Sequence, residues 1–480
     1  MTRKIKNDRK LADSSSAPEI QKQKKSIATP KLGVDLFNQI LISSGIDAIQ
    51  KFNQIFKGIC LFCAAAVVSV LNFLIKLGKS VVEPSNDNTD QMDVDALSIH
   101  FPEIILMDIL SRLPVQSLLR FKCVSKYWET LISEPYFKKK HLNRAKNDQD
   151  SQKLLTIQMC SKNRIFSMYC CPLLPVQLVE DVQKLNFPSN PTPWHCRIHC
   201  CYDGLAVMEV RDNFKDKHST LLLWNPSTRE SIVLPSPEFP RGSLTCFGLG
   251  YDSTSGGYKI FQHYQGCSFP GEILALKGGS WRRIDEHPRG IDNRFVCRQF
   301  LAFVHAAFHW IAYSQNHAVV VSFSISNEVY GEIPFPEKMS ALTALIGATV
   351  LEGMLCVHSN SIYPGKRTIK LWVLKEYGIK ESWIPFLSVE DPTGAISIPK
   401  YRFADGEMLF WCNEGVMFRT RCGPFGAWPR SDTIFDGHAF RERLISPTRC
   451  GPFGAWPSCD SICDGHAFTE SLISPRSLTY

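Results

Sequence analysis

The sequence predicts a multidomain chain: a small all-α module, then an all-β interaction domain, with a helical or disordered extension ahead of both. Three observations predict it. Residues 98–146 break into short helices at their own prolines, residues 151–411 alternate short β-type runs with Gly, Pro, Asn and Asp, and the first thirty residues are polar and unpatterned. At 480 residues the chain is also too long for one ordinary core, and 44% apolar residues are enough to build at least one large one.

The extension comes first. The formal charge of +8 gathers in residues 1–31, a basic disordered arm where Arg3, Lys4, Lys6, Arg9, Lys10, Lys22, Lys24, Lys25 and Lys31 meet few acids. Such an arm is first a solvated tail and second a localisation signal or membrane-surface contact. No basic stripe interleaved with aromatics follows, which argues against nucleic acid as a partner. Residues 32–80 form a hydrophobic helical segment: Leu36, Ile40, Ala48, Phe52, Ile55 and Ile59 fall near one face, and residues 59–75 (ICLFCAAAVVSVLNFLI) carry no charge. A transmembrane helix, a buried helix and an interfacial anchor all remain open for that run, which barely reaches bilayer length. It starts too late for a signal peptide. A single span with its basic flank in the cytosol would place everything after residue 80 outside, so membrane association is the disfavoured reading. Residues 81–97, with Glu83, Asp87, Asp90, Asp93 and Asp95, form an acidic linker. Eighteen cysteines spread through a long chain without a secretory signal imply reduced thiols and a cytoplasmic or nuclear location, or both.

In residues 98–146, Pro102 opens a helix, where its missing N–H costs nothing, and Pro114 ends that helix and starts the next. Ile104, Ile105, Met107, Ile109, Leu110 and Leu113, then Leu118, Leu119, Phe121 and Val124, then Trp128, Leu131 and Ile132, give each helix more apolar positions than one stripe requires. So small a module is not expected to bury all of that surface alone, and a partner is expected to cover the rest.

This segment, FPEIILMDILSRLPVQSLLRFKCVSKYWETLISEPYF, resembles the F-box in its plant form, through Phe101-Pro102, Leu113-Pro114, Ser117-Leu118-Leu119, residues 121–126, Trp128, Leu131-Ile132 and Pro135-Tyr136-Phe137. The resemblance implies docking on a Skp-type adaptor, and through it on a cullin and a RING protein. It assigns Pro102, Ile105, Leu110, Leu113, Pro114, Leu118, Val124 and Trp128 to the adaptor interface or its immediate support.

The β-rich part (151–411) contains the phrases WNPSTRE, LGYDSTSGGYKI, SWRRI, FHWIAY, SFSISNEVYGEIPFPE, LEGMLCV and LWVLKEYGIKESW. Their order is similar to that of the plant F-box-associated domain of the first type, which implies a β-propeller-like, kelch-type interaction domain that captures a protein target. Two places depart from the family. Val304-His305-Ala306-Ala307 stands where a Val-Asn-Gly turn is common, and after Trp411 comes a tandem duplication, RCGPFGAWPRSDTIFDGHAFRERLISP from Arg421 and RCGPFGAWPSCDSICDGHAFTESLISP from Arg449. Residues 412–480 are therefore expected to be an extended tail, which leaves open whether the ring closes.

Catalytic motifs are not legible. The stretch GLGYDSTSGGYK lacks the Gly-Lys-Ser/Thr ending of a phosphate loop, and no GxSxG elbow or HExxH helix occurs. The cluster from His195 to Cys201 has no zinc spacing and reads as a strand with buried thiols. Cys450, Cys459, Cys463 and His466 could be drawn as a site, but the first copy has Ser431 and Phe435 where the second has Cys459 and Cys463. No cofactor, metal or catalytic residue is expected. The chain is expected to be a non-catalytic subunit that recognises targets for a Skp-cullin-F-box ubiquitin ligase, with a non-degradative scaffold or membrane-tethered F-box protein as the alternative.

Overall fold

Short helices punctuated by proline and serine begin the described part of the chain. The computed structural model describes residues 103–160, 165–173, 182–188, 193–212, 219–238, 245–264, 271–285, 301–314, 317–335, 344–361, 368–390, 397–412, 416–421, 444–445 and 460–479. The basic arm, the apolar run at 59–75 and the acidic linker lie outside them. Helices α1 (Glu103–Leu110), α2 (Val115–Phe121), α3 (Lys126–Ser133) and α4 (Pro135–Asn147) follow the expected breaks. Pro114 separates the first two, while its carbonyl accepts the Ser117 and Leu118 N–H groups of α2. Ser125 caps α3 by accepting the Trp128 N–H at 3.2 Å, and Pro135 occupies the first turn of α4. Leu110, Val115, Leu118, Ile132 and Phe137 are fully buried, and Phe121 meets Trp128 edge-on at 5.3 Å. Asp108 ties α1 to α4 through Arg144 at 3.1 Å, and it also pairs locally with Arg112 at 2.7 Å.

From Gln152 onward the described residues form six four-stranded antiparallel sheets. The first holds β1 (Gln152–Cys160), β2 (Phe166–Pro172) and β3 (Gln183–Leu185). The second holds β4 (His195–Tyr202), β5 (Leu205–Arg211), β6 (Thr220–Asn225) and β7 (Glu230–Val233). The third is β8 (Thr245–Asp252), β9 (Gly257–Tyr264), β10 (Glu272–Ala275) and β11 (Trp281–Arg283). The fourth is β12 (Ala302–Val304), β13 (Ala307–Ser314), β14 (His317–Ser324) and β15 (Tyr330–Pro334). The fifth is β16 (Ala344–Leu351), β17 (Met354–Ser361), β18 (Thr368–Leu374) and β19 (Trp383–Glu390). The sixth is β20 (Ser397–Arg402), β21 (Glu407–Cys412), β22 (Val416–Arg421) and β23 (Leu444–Ile445). The last strand, β24 (Asp460–Thr469), returns to the first sheet and pairs with β1 from Gln152↔Thr469 to Cys160↔Asp460.

That pairing corrects one expectation and answers a question left open. Residues beyond 411 are not simply a tail, because β22, β23 and β24 are strands of the sixth and first sheets, and the ring closes. Strands β24, β4, β8, β12, β16 and β20 touch in succession, and β20 touches β24 in turn. The described strands form a six-bladed propeller whose first blade joins the start of the β domain to its end, so that this blade's innermost strand is β24.

Burial explains the arrangement. Six apolar clusters lie one between each pair of neighbouring blades, for example Leu155, Met168, Ile198, Met208 and Phe468 between the first and second, and Leu154, Leu409 and Trp411 between the sixth and first. Central strands are covered on both sides: in β5, Leu205 and Val207 face one neighbour while Ala206, Met208 and Val210 face the other. Such strands read as continuous apolar runs rather than alternating ones.

Inner hairpins turn in two residues with φ positive at both, namely Asp203-Gly204 (52° and 78°), His305-Ala306 (51° and 55°) and Glu352-Gly353 (49° and 75°). Gly204 is required twice over, since a Cβ there would also sit 2.3 Å from the Ser471 Oγ. The His305-Ala306 pair makes the same turn without glycine, at a cost of about 1–2 kcal/mol per residue. The His305 ring lies over Tyr377 at 4.4 Å.

Candidate functional site

The helical module contributes the first surface. Four of the eight residues assigned to docking, Leu110, Leu113, Leu118 and Trp128, lie inside the module's own core. Of the two roles the resemblance allowed, interface or its immediate support, burial fits the second for these four. Pro114 is exposed, and Val124 is 41% exposed. Ile105 lies in α1 with its side chain outside the described residues, as is Pro102 altogether. Tyr127 and Tyr136, at 52% and 66% exposure, are large exposed rings that the helical pattern did not single out.

The second feature joins the module to the propeller. Lys146 near the end of α4 pairs with Asp203 at 2.6 Å and lies 5.4 Å from the Tyr202 ring centroid, and Tyr258 donates its O–H to Asp203 at 3.0 Å. Gln152 donates to the Ala145 carbonyl at 2.8 Å and accepts from the Thr469 hydroxyl at 3.0 Å. Glu470, directly after β24, accepts the Val115 N–H at the start of α2, where Pro114 supplies no side-chain cap. Burial raises the Glu470 carboxyl above its usual range. The residues that follow the closing strand are anchored by Asn225 of the WNPST turn. Its amide donates to the Ser471 carbonyl at 3.0 Å and the Ile473 carbonyl at 2.8 Å, while its oxygen accepts the Ser227 N–H at 2.8 Å. A ring closed by β24 thus also holds the helical module.

The third feature is a cavity of about 980 Å³ along the propeller axis, opening beside Lys146–Gln149. Inner strands β4, β8, β12, β16, β20 and β24 all line it. Asp464 anchors the wall: its Oδ2 accepts the Ile198 N–H at 3.2 Å, and its Oδ1 accepts the Gly465 N–H at 2.9 Å and lies 3.0 Å from His466 Nε2. Burial alone would raise this carboxyl, but His466, Lys400 and Arg197 outweigh it and hold it below the usual range. Burial pulls the Lys400 ammonium down to about 8 against the attraction of Asp464. Neighbouring His199, in contact with Glu209 at 3.1 Å, is held near 4 by burial, so it is neutral at physiological pH. Burial also pushes the Cys200 thiol up to about 12, so it stays protonated rather than nucleophilic. Among the described residues no three His, Cys, Asp or Glu side chains are grouped to hold a metal ion. Nor is any described helix long and apolar enough to cross a membrane.

Comparison with known proteins agrees with this architecture. The model of the F-box domain matches residues 99–140, and that of the F-box associated beta propeller domain matches residues 156–417, more than half of the chain. The chain belongs to the F-box proteins that carry an F-box-associated β-propeller domain. It is similar to the F-box protein CPR1 of Arabidopsis thaliana, 28% identical over 331 residues that cover 63% of this chain and 76% of that protein. It is also similar to the F-box/kelch-repeat protein At3g23880 of the same plant, 25% identical over 382 residues, 75% of this chain and 99% of that one. The matched propeller region stops before β24, the strand that completes the ring.

Proposed function

We propose that this chain is the substrate-recognition subunit of a Skp-cullin-F-box ubiquitin ligase, with the F-box docking on a Skp-type adaptor and the propeller capturing a protein target. The observation that carries the reading is an F-box clamped to a closed propeller through Lys146–Asp203 and Glu470–Val115. A subunit that positions targets for a separate catalytic partner needs a docking module and a capture module held in a fixed relation. Pro114 and Val124 belong to the docking surface, and Leu110, Leu113, Leu118 and Trp128 support it from beneath. The F-box resemblance assigns Pro102 and Ile105 to the same docking role. Catalysis belongs to the partner complex, and the site of action is the cytoplasm, the nucleus or both.

The test is affinity capture from plant cells with a docking-deficient chain carrying Val124→Asp and Pro114→Glu, which traps targets undegraded. The captured proteins are then incubated with the wild-type chain, adaptor, cullin, RING protein and charged conjugating enzyme. Ubiquitin chains on a captured protein that require the wild-type surface are expected. Captured proteins that bind stably yet are never modified would overturn the degradative role and leave a scaffold.

A further inference from the structure

In the second to fifth blades the strands alternate in direction, so the turns between first and second strands and between third and fourth lie on one side of the ring. That side carries the F-box, because Asp203, in a turn of the first kind, holds Lys146 of α4 at 2.6 Å. His305-Ala306 is the matching turn of the fourth blade, and the outer turn of the fifth blade, residues 375–382, folds against it. The Tyr377 ring centroid lies 4.4 Å from that of His305, and the Tyr377 hydroxyl is 2.8 Å from His309 Nε2. Tyr377 is nevertheless 38% exposed and Ile379 46%. Internal bonds hold the turn still: Ser382 Oγ accepts the Glu376 N–H at 3.0 Å and donates to the Ile379 carbonyl at 2.7 Å, and the Ile379 N–H reaches the Glu376 carbonyl at 3.1 Å. With these polar groups engaged inside it, the turn presents apolar area that loses little freedom when covered. Strain marks the same place. His305 and Ala306 keep φ at 51° and 55° without glycine, and the side chain retained at 305 backs the Tyr377 ring. Charge does not single out an ionic partner, since Lys375, Glu376, Lys380 and Glu381 give the turn two charges of each sign, and Glu352 and Arg402 on the cavity rim that His305 shares pair with each other at 2.9 Å.

We propose that the turn bearing Tyr377 and Ile379, backed by His305, is where the propeller captures its protein target, through an extended segment that packs a bulky, uncharged apolar side chain on these two residues. This site rests on the capture role proposed above for the propeller. A rigid aromatic beside an exposed aliphatic side chain supplies the kind of anchor on which most binding energy concentrates. A target held there lies on the side of the ring that carries the F-box.

The probes are random dodecapeptides displayed on phage and selected on the immobilised full-length chain, then synthesised with a fluorescent label and titrated by polarisation. Enriched peptides are expected to share one bulky apolar position. Ile379→Asp should weaken them at least tenfold, and His305→Gly, which removes the ring behind Tyr377, at least threefold. Val233→Asp, at an exposed valine on β7 of the second blade, should leave them unchanged. Ile379→Ser, which removes the branched side chain without adding charge, should weaken them at least threefold and supplies the test if Ile379→Asp fails to fold. Enrichment of no peptide, a shared charged position in place of an apolar one, binding undiminished by either substitution of Ile379 or by His305→Gly, or an equal loss in Val233→Asp would overturn the proposal. Adaptor titration of the same chains separates this site from the ligase role: a wild-type chain that binds peptides through Ile379 but no adaptor would overturn that role and leave the capture site standing, whereas adaptor binding with peptides indifferent to Ile379 would overturn the site alone.

Discussion

Closing the ring with the second copy of a duplicated segment makes a sharp prediction, because each copy contains the same phenylalanine. Phe468 of β24 is 5% exposed and packs between the first and second blades against Leu155, Met168 and Ile198. Removing a buried ring of this kind costs about 3–5 kcal/mol, roughly two to four orders of magnitude in the folding constant. Its twin in the first copy is Phe440, and β24 already fills the slot beside β1. Phe440→Ala is therefore expected to change stability by no more than about 0.5 kcal/mol. The sequence itself favours the second copy. Ser471 is fully buried and close to Gly204, whereas the first copy carries Arg443 at that position, a side chain the space cannot accept. Urea unfolding of the full-length chain, followed by tryptophan fluorescence, separates the two variants. An equal loss in Phe440→Ala, or no loss in Phe468→Ala, would refute closure by the second copy.

Three further outcomes follow from the same contacts. Asn225→Ala leaves the buried Ser471 carbonyl and the partly buried Ile473 carbonyl without their donor and should cost about 2–4 kcal/mol in the same unfolding assay, with a neutral result contradicting the anchoring role. Ala306→Gly relieves a φ of 55° and should stabilise the chain by about 1 kcal/mol, whereas destabilisation would show that the turn is not strained. Burial holds His199, His263 and His309 near 4 and His358 near 3, below the ordinary value of about 6.5. Between pH 6.5 and 4 the unfolded imidazoles take up protons that the folded ones refuse, so stability falls as pH falls, by up to about 1.4 kcal/mol per pH unit for each histidine. The urea midpoint should thus be lower at pH 5.5 than at pH 7.5, and an unchanged or higher midpoint would count against neutral, buried imidazoles.

Much of this architecture was legible because local chemistry and tertiary role agree. Pro114 and Pro135 mark helix boundaries by what their backbones can and cannot do, whereas the Ser125 cap and the tight hairpins at Asp203-Gly204 and Glu352-Gly353 were not singled out from the sequence. The closing strand was not legible. Asp464-Gly465 reads as a turn, but it lies in a strand at a bulge, where the register with β1 shifts between Ile157 and Gln158. There Asp464 accepts the Ile198 N–H from the next blade, a partner 266 residues away that no local pattern can supply. Asn225 stands at the turn between β6 and β7, and its three long-range acceptors lie near the far end of the chain, out of reach of any local pattern. In the F-box, apolar periodicity identified the helices but could not tell which residues turn inward. Leu110, Leu118 and Trp128 are buried by the mutual packing of four helices, which leaves Pro114 and Val124 outside.

Calorimetric titration of the full-length chain with a purified Skp-type adaptor tests the central claim most directly. A one-to-one complex with a Kd of about 1 μM or tighter is expected, weakened at least tenfold by Val124→Asp in a chain whose propeller remains folded. A folded wild-type chain that shows no association with the adaptor would contradict the account.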